Sequence, residues 1–223
     1  MIPLRDSQPS HSFPLVTVLL IALNVMIFLF EVSLDGFSRN HFVSEYGMTP
    51  ARFQFADLLT SMFLHGGWMH LIGNMWFLWI FGDNVEDILG RAQYLGFYLL
   101  SGVAAGLVHY IFNSGSAIPT VGASGAIAGV MGGYVMKFPH ARVVTLIPIF
   151  IFITTYEVPA WFMLIYWFVI QIFSGFGEMA ASNGGHEGGV AWFAHAGGFL
   201  MGMFLVKVLK TRERYRFHPE LRW

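Results

Sequence analysis

Six long apolar stretches, separated by short polar segments, set the strongest limit on how this chain folds. Of its 223 residues, 56% are hydrophobic and only 11% are charged, whereas soluble domains are about 45–50% apolar and about 25% charged. A helix needs about 20 mainly apolar residues to cross a bilayer. We therefore predict an all-α integral membrane protein, with residues 1–223 forming one bundle. The six predicted membrane helices are 14–32, 58–81, 92–112, 121–136, 159–176 and 190–209.

The region between the fourth and fifth stretches is too long for one helix. As a single helix, residues 143–173 would extend roughly 46 Å at 1.5 Å per residue, against a hydrocarbon core of about 30 Å. It also contains Pro148, Glu157 and Pro159, together with a run of β-branched residues. Proline interrupts a helix interior. We therefore predict an extended interfacial segment at 143–158 and a membrane helix from Pro159.

The distribution of basic residues predicts the orientation. Six crossings put both termini on one side, and the basic residues concentrate there, which the positive-inside rule reads as the cytoplasm. The expected cytoplasmic parts are a short N-terminal segment, 1–13, and a basic tail, 207–223. Loops 34–57, 113–120 and 177–189 are expected to face outward. The short loops suggest a prokaryotic plasma membrane. The basic residues on the expected inner side are Arg5, Arg91, Lys137, Arg142, Lys207, Lys210, Arg212, Arg214, Arg216 and Arg222, against Arg39 and Arg52 outside.

Composition excludes several kinds of chemistry. The chain has no cysteine, which rules out disulfides, thiol catalysis and cysteine-ligated metals. Its net charge is −1, and its basic residues do not interleave with a binding face, so a nucleic-acid role has no support. The zinc-protease helix signature His-Glu-x-x-His is absent. We expect no metal and no cofactor.

Two predicted helices begin with a reactive side chain among small residues. Ser124 lies between Gly122 and Gly125 at the start of the fourth helix, and His195 begins the sixth. A hydroxyl and an imidazole are the minimum parts for nucleophilic hydrolysis, because the base removes the proton of the weak nucleophile. Alone, Ser124 is more often a packing residue. Ionisable groups inside membranes are costly and tend to mark function.

Small residues predict that these two helices meet. In each helix they recur every fourth position, and such faces allow membrane helices to approach backbone to backbone. The two helices run in the same direction, so Ser124 and His195 fall at one depth. Packing alone would also explain the pattern. The small residues are Gly125, Gly129 and Gly133 in one helix and Ala194, Gly198 and Gly202 in the other.

The second predicted helix adds three polar side chains. His70 and Asn74 are four residues apart and share one helical face, where they could donate hydrogen bonds to an oxyanion or form an interhelical polar clamp. His65 precedes Gly66 and Gly67 and is expected in a loop or first turn, in a supporting role.

Together these segments resemble the rhomboid family of intramembrane serine proteases. The matching motifs are residues 60–74, 82–87, 122–126 and 195–198, and the match covers about 14–210. The resemblance implies that Ser124 is the nucleophile and His195 the general base, with His70, Asn74 and the Ser124 N–H as the oxyanion hole and Gly122 and Gly125 in support. It also implies single-pass membrane proteins as substrates, no cofactor, and loop 177–189 as a mobile cap.

The chain departs from many rhomboids in two places. Ala128 stands where an aromatic residue often stacks on the base, so another side chain must hold His195. Ala56 and Asp57 replace a Trp-Arg pair before the second helix, which concerns loop packing.

Two other functions compete with proteolysis. A non-catalytic rhomboid-like protein that binds membrane clients has no chemical need for both Ser124 and His195. A transporter or proton relay would use His70 and His195, but the mid-span regions lack carboxylates. The acidic cluster Asp83, Glu86 and Asp87 is expected to bond the helix end and nearby loops, with Arg91 as a candidate partner, rather than to bind calcium. The basic tail is expected either to contact lipid headgroups or only to fix topology.

Overall fold

The computed structural model describes residues 2–149, 152–181 and 191–212, and these are mostly helical. Two single 3-10 turns, Pro50–Arg52 and Ser61–Phe63, lie in the region before the long fourth helix. The α-helices are α1 Leu15–Ser33, α2 Gly36–Tyr46, α3 Asp57–Thr60, α4 Trp68–Leu89, α5 Arg91–Asn113, α6 Ser124–Lys137, α7 Ala160–Ala181 and α8 Trp192–Val208.

A small antiparallel sheet corrects the all-α prediction. Strands β1 Ile2–Asp6, β2 Arg142–Ile149 and β3 Phe152–Pro159 pair in the order β1-β2-β3. The extended segment predicted at 143–158 is confirmed as the β2-β3 hairpin. Strand β1 was not anticipated, because five residues near the N-terminus carry little periodic signal and are held by pairing with a distant strand.

The predicted helix bounds are close except for the second helix. Helix α4 begins at Trp68 rather than at residue 58, because Gly66 and Gly67 interrupt the helix and residues 57–63 form short turns. The predicted loop 34–57 also contains a helix, α2, whose N-terminal N–H groups are capped by Asp35.

The number of membrane crossings is not confirmed at six. Two described helices, Leu15–Ser33 and Arg91–Asn113, are long and apolar enough to cross a membrane, and Ala160–Ser174 and Trp192–Val208 are shorter apolar helices. Helix α6 has 14 residues and is therefore about 21 Å long. In α4, the acidic residues Asp83, Glu86 and Asp87 lower the mean hydropathy of the helix.

Helix α6 forms the centre of the bundle. It packs against α4, α5, α7 and α8, and every residue from Gly125 to Val135 is buried. Bulky side chains such as Phe81, Tyr98 and Phe199 fill the surrounding core. Because α6 is short and enclosed by these four helices, its first residue, Ser124, lies among them.

The acidic cluster at the end of α4 anchors the N-terminal region. Glu86 accepts hydrogen bonds from the backbone N–H groups of Val16 and Thr17 at 2.9 and 2.8 Å, which satisfies donors in the first turn of α1. Asp87 accepts from the His11 N–H at 3.2 Å and from the Ser12 hydroxyl. The expected role in bonding a helix end and a nearby loop is confirmed for Glu86 and Asp87, whereas Asp83 accepts from the Asn84 N–H within α4. Among the described residues, Arg91 makes no ion pair. The ion pair that these residues contain joins Arg142 and Glu157, outside the acidic cluster.

Part of two predicted segments lies outside the described residues. The first residues of the 177–189 segment complete helix α7, while its remainder and residues 213–223 of the basic tail are not described.

Candidate active site

Ser124 is the first residue of α6, and the preceding glycine allows this position. Gly122 has φ +130°, a conformation that other residues rarely adopt. A Cβ at Gly122 would lie 2.7 Å from Nε2 of His70, so any other residue would force the His70 ring to move. The Gly122 N–H donates to the Ser61 carbonyl oxygen at 2.9 Å. The turn therefore brings α4 against the backbone just before Ser124.

The structure brings Ser124 and His195 together. The Ser124 hydroxyl lies 2.7 Å from Nε2 of His195, a normal distance for a hydrogen bond between a hydroxyl and an imidazole nitrogen. Ser124 is half-buried and His195 is buried. The two side chains come from residues 71 positions apart in sequence.

Glycines along α6 and α8 produce this proximity. A Cβ on Gly198 would lie 1.9 Å from the Gly125 carbonyl oxygen, and a Cβ on Gly202 would lie 1.9 Å from that of Gly129. Both distances are far inside van der Waals contact, so only glycine permits this approach. The contacts advance along both helices together, which shows that α6 and α8 run parallel. The predicted small-residue interface is confirmed.

Gln171 is a member of the site that the sequence analysis missed. Its side-chain oxygen lies 2.6 Å from Nδ1 of His195, and Gln171 is itself buried. A carbonyl oxygen only accepts hydrogen bonds. Nδ1 therefore carries the proton, and Nε2 is left to accept from Ser124. An isolated amide within the apolar helix α7 was the available signal, because buried polar side chains need partners.

Aromatic rings also contact His195. The Trp167 ring centroid lies 5.7 Å from that of His195, with the planes tilted by 34°. The Trp192 ring meets it edge-on at 6.5 Å. These residues and Gln171 hold the imidazole although position 128 is alanine.

His70 and Asn74 border the loop that leads to Ser124. A Cβ on Gly122 would lie 3.6 Å from Nδ2 of Asn74, as well as against the His70 ring. His65 is fully buried, and its Nε2 lies 3.0 Å from Nδ2 of Asn74. The His65 and His70 rings lie 5.2 Å apart. The arrangement gathers the polar side chains of α4 beside the start of α6.

The described residues contain no group of three or more His, Asp or Glu side chains arranged to hold a metal ion. The polar groups of the site are a hydroxyl, imidazoles and amides. These groups suit proton transfer and hydrogen bonding to a developing negative charge.

A family model decides the relationship of this chain to known proteins. The model of the Rhomboid domain matches residues 52–212, which is most of the chain. The chain belongs to the rhomboid family. The matched region contains both Ser124 and His195 and all the polar residues around them.

Individual relatives span several kinds of organism. The chain is 33% identical to the presenilin-associated rhomboid-like protein, mitochondrial, of Homo sapiens over 138 residues, which are 60% of this chain and 36% of that protein. It is 28% identical to Rhomboid protein 1, mitochondrial, of Saccharomyces cerevisiae over 177 residues, 75% of this chain and 46% of that protein. It is 35% identical to Rhomboid protease GluP of Bacillus subtilis over 124 residues, 53% and 24% respectively. The chain spans less than half the length of these relatives.

The expected localisation in a prokaryotic plasma membrane is wrong. Similar proteins from Danio rerio, Homo sapiens and Saccharomyces cerevisiae are mitochondrial rhomboid proteins of eukaryotes. Apolar helices indicate that a chain enters a bilayer. The length of the loops, on which the prediction rested, does not identify which membrane it is. The expectation that the termini are cytoplasmic and that the site faces outward assumed that membrane, so it is withdrawn as well.

Proposed function

We propose that this rhomboid protein is an intramembrane serine endopeptidase that cleaves single-pass membrane proteins in or near their transmembrane segment. The observation that carries the proposal is the 2.7 Å contact between the Ser124 hydroxyl and Nε2 of His195. Ordinary packing does not require a nucleophile and a base at hydrogen-bond distance, with the base oriented by a third group. The similarity to Rhomboid protease GluP supports the same reaction class.

In the proposed reaction, Ser124 attacks the scissile carbonyl carbon and His195 accepts the hydroxyl proton at Nε2. The carbonyl oxygen becomes an oxyanion in the tetrahedral intermediate. His195 then returns the proton to the leaving amine as the C–N bond breaks, which leaves an acyl-enzyme. Water, deprotonated by His195, hydrolyses the ester and restores Ser124. Gln171 acts as a positioning residue, because it keeps the proton on Nδ1 during the attack.

The oxyanion is proposed to be stabilised by Asn74, His70 and the backbone N–H of Ser124. The first N–H groups of a helix have no acceptor within that helix, and the helix N-terminus carries a partial positive charge. Asn74 and His70 flank the same turn through Gly122. Donors fixed in advance around a developing charge are commonly the largest contribution to such catalysis.

The proposed substrate follows from the surroundings of the site. We propose that residues 1–223 form one membrane unit with six apolar helices, including the short α6, and that this unit is embedded in the lipid bilayer. A substrate helix hides its peptide bonds within its own hydrogen bonds. Cleavage therefore requires local unwinding, and segments with small or helix-destabilising residues are favoured.

The test is cleavage of a single-pass reporter in proteoliposomes by the wild type, Ser124→Ala and His195→Ala. The proposal expects cleavage by the wild type and none by either variant. Cleavage that persists in both variants would contradict it. A folded wild type that binds the reporter without cutting it would instead favour a non-catalytic client-binding protein. Solute flux through empty liposomes that depends on His70 and His195 would favour a transporter.

A further inference from the structure

One buried carboxylate has no part in the proposed reaction. Glu31 lies near the end of α1 and is fully buried. Its Oε1 accepts a hydrogen bond from the backbone N–H of His65 at 3.1 Å. Its Oε2 is buried and has no hydrogen-bond partner among the described residues. Burial of a carboxyl group with so few partners is costly. Apart from the charge of Arg39, the partner of this carboxyl group is the His65 N–H, and that hydrogen bond is the feature to explain.

The contact reaches the short segment that joins the 3-10 turn to α4. His65 lies between the 3-10 turn Ser61–Phe63 and the start of α4. The two residues that follow it are glycines, and a Cβ at Gly67 would meet nothing within 4 Å. The two glycines contribute no side chains to fix this segment, so the contacts of His65 are the ones that position it. Phe28, one turn before Glu31 on α1, also meets the His65 ring edge-on at 6.4 Å. Helix α1 therefore holds His65 through both its backbone and its ring.

His65 in turn orients Asn74. An amide nitrogen only donates hydrogen bonds, so the 3.0 Å contact makes Nε2 of His65 the acceptor for Nδ2 of Asn74. The same Nδ2 has a second hydrogen, and this nitrogen lies near the turn at Gly122, 3.6 Å from where a Cβ on that glycine would be. One N–H of Asn74 is thus used to fix the amide, and the other remains for the oxyanion.

We infer that Glu31 is a positioning residue for the oxyanion hole, acting through His65 on Asn74. The inference rests on the proposed function, because it assigns Asn74 to transition-state binding. Loss of the Glu31 acceptor frees the His65 backbone, and the imidazole then no longer holds the amide in one orientation. The chemical pair Ser124 and His195 is untouched by this change.

The first experiment compares Glu31→Leu with Glu31→Gln in proteoliposomes. Leucine cannot accept a hydrogen bond from the His65 backbone N–H. We therefore expect kcat to fall roughly tenfold or more, with KM little changed. Glutamine retains an accepting oxygen and is expected to keep most of the wild-type kcat. Asn24→Leu is the control, since Asn24 is a buried polar residue two turns earlier on α1 whose side chain donates to the Leu20 carbonyl oxygen at 2.7 Å and interacts with Tyr98 of α5, both outside the proposed site. An equal loss in Glu31→Leu and Asn24→Leu would overturn the inference.

A double-mutant cycle separates positioning from general damage. In an Asn74→Ala background, Glu31→Leu should cause no further loss, because the group on which it acts is gone. A loss by the same factor as in the wild type would contradict the inference.

A second readout does not need turnover. The ¹⁵N shifts of the His65 imidazole should report a proton on Nδ1 in the wild type and a changed tautomer balance in Glu31→Leu. An unchanged spectrum would count against the inference even if the protein is active. An inactive wild type with the expected change in spectrum would refute the protease function and leave the contact chain from Glu31 to Asn74 in place.

Discussion

The side-chain oxygen of Gln171 lies 2.6 Å from Nδ1 of His195, across the ring from the nitrogen that contacts Ser124. Helix α7 thus supplies the group that selects the imidazole tautomer, while α6 and α8 supply Ser124 and His195. The acceptor is an uncharged amide, which avoids the high cost of an unpaired carboxylate in an apolar region.

Replacement of this amide tests its role. In Gln171→Leu the Nδ1 proton loses its acceptor, and we expect kcat to fall roughly 10- to 100-fold, as for other residues that orient a catalytic imidazole. The reporter assay in proteoliposomes measures this loss. Gln171→Glu keeps an accepting oxygen at the same reach, so it should retain more activity than Gln171→Leu, although its buried carboxyl group lowers stability. Full activity of Gln171→Leu would show that the tryptophans alone hold His195.

Asn74→Ala should act on turnover rather than on substrate binding. Removal of one oxyanion donor commonly costs about 100- to 1,000-fold in kcat, and KM should change little because the charge exists only in the transition state. A full rate curve against reporter density in the membrane separates the two constants. A variant with raised KM and normal kcat would contradict the assigned role.

The close glycine contacts between α6 and α8 predict that adding one methyl group at this interface greatly lowers the stability of the fold. Gly198→Ala would place a carbon 1.9 Å from the Gly125 carbonyl oxygen, so the helices must separate. We expect a loss of about 1–3 kcal/mol in unfolding free energy, together with loss of cleavage as Ser124 and His195 move apart.

Gly96→Ala is the matched control for that substitution. Gly96 also lies inside a helix, α5, but a Cβ there meets nothing within 4 Å. Alanine is a better helix former by about 0.5–1 kcal/mol, so this variant should be as stable as the wild type or more so. Thermal unfolding in detergent micelles, followed by tryptophan fluorescence, compares the two. Equal stability of Gly198→Ala and Gly96→Ala would refute the close-packing argument.

The attachment of strand β1 should weaken as the pH rises through about 6. Burial raises the pKa of Asp6 from 3.8 to about 6, against the opposing effect of the hydrogen bond that its carboxylate accepts from the Tyr134 hydroxyl. The nearby Asp83 also interacts with it. The folded state holds the proton more tightly than the unfolded state, so this stabilisation is complete below about pH 4 and is lost as the pH rises through 6.

Amide exchange of residues in β1, measured between pH 4 and 8 and corrected for intrinsic exchange rates, tests this dependence. Asp6→Asn retains an acceptor for Tyr134 but cannot ionise, so the fall in protection between about pH 4 and pH 6 should disappear in that variant. The same pH dependence in Asp6→Asn would assign it to another group, with Asp83 the first to examine.

The sequence by itself determined the family, the mostly helical architecture and the residues around which a site forms. Apolar stretches and glycine spacing are local patterns, and Ser124, His195, His70 and Asn74 are each recognisable from their immediate neighbours. The interface of α6 and α8 was also predictable, because a repeat of small residues every fourth position describes a helix face directly.

Only the tertiary structure decided which distant groups orient that site. Gln171 and Glu31 are single polar residues in apolar helices, and nothing near them in sequence indicates that one meets His195 and the other the His65 backbone. Strand β1 likewise exists because residues about 140 positions away offer it a hydrogen-bonding edge. Such contacts depend on how the helices pack and on which buried polar atoms lack a nearer partner, and these are properties of the folded chain as a whole.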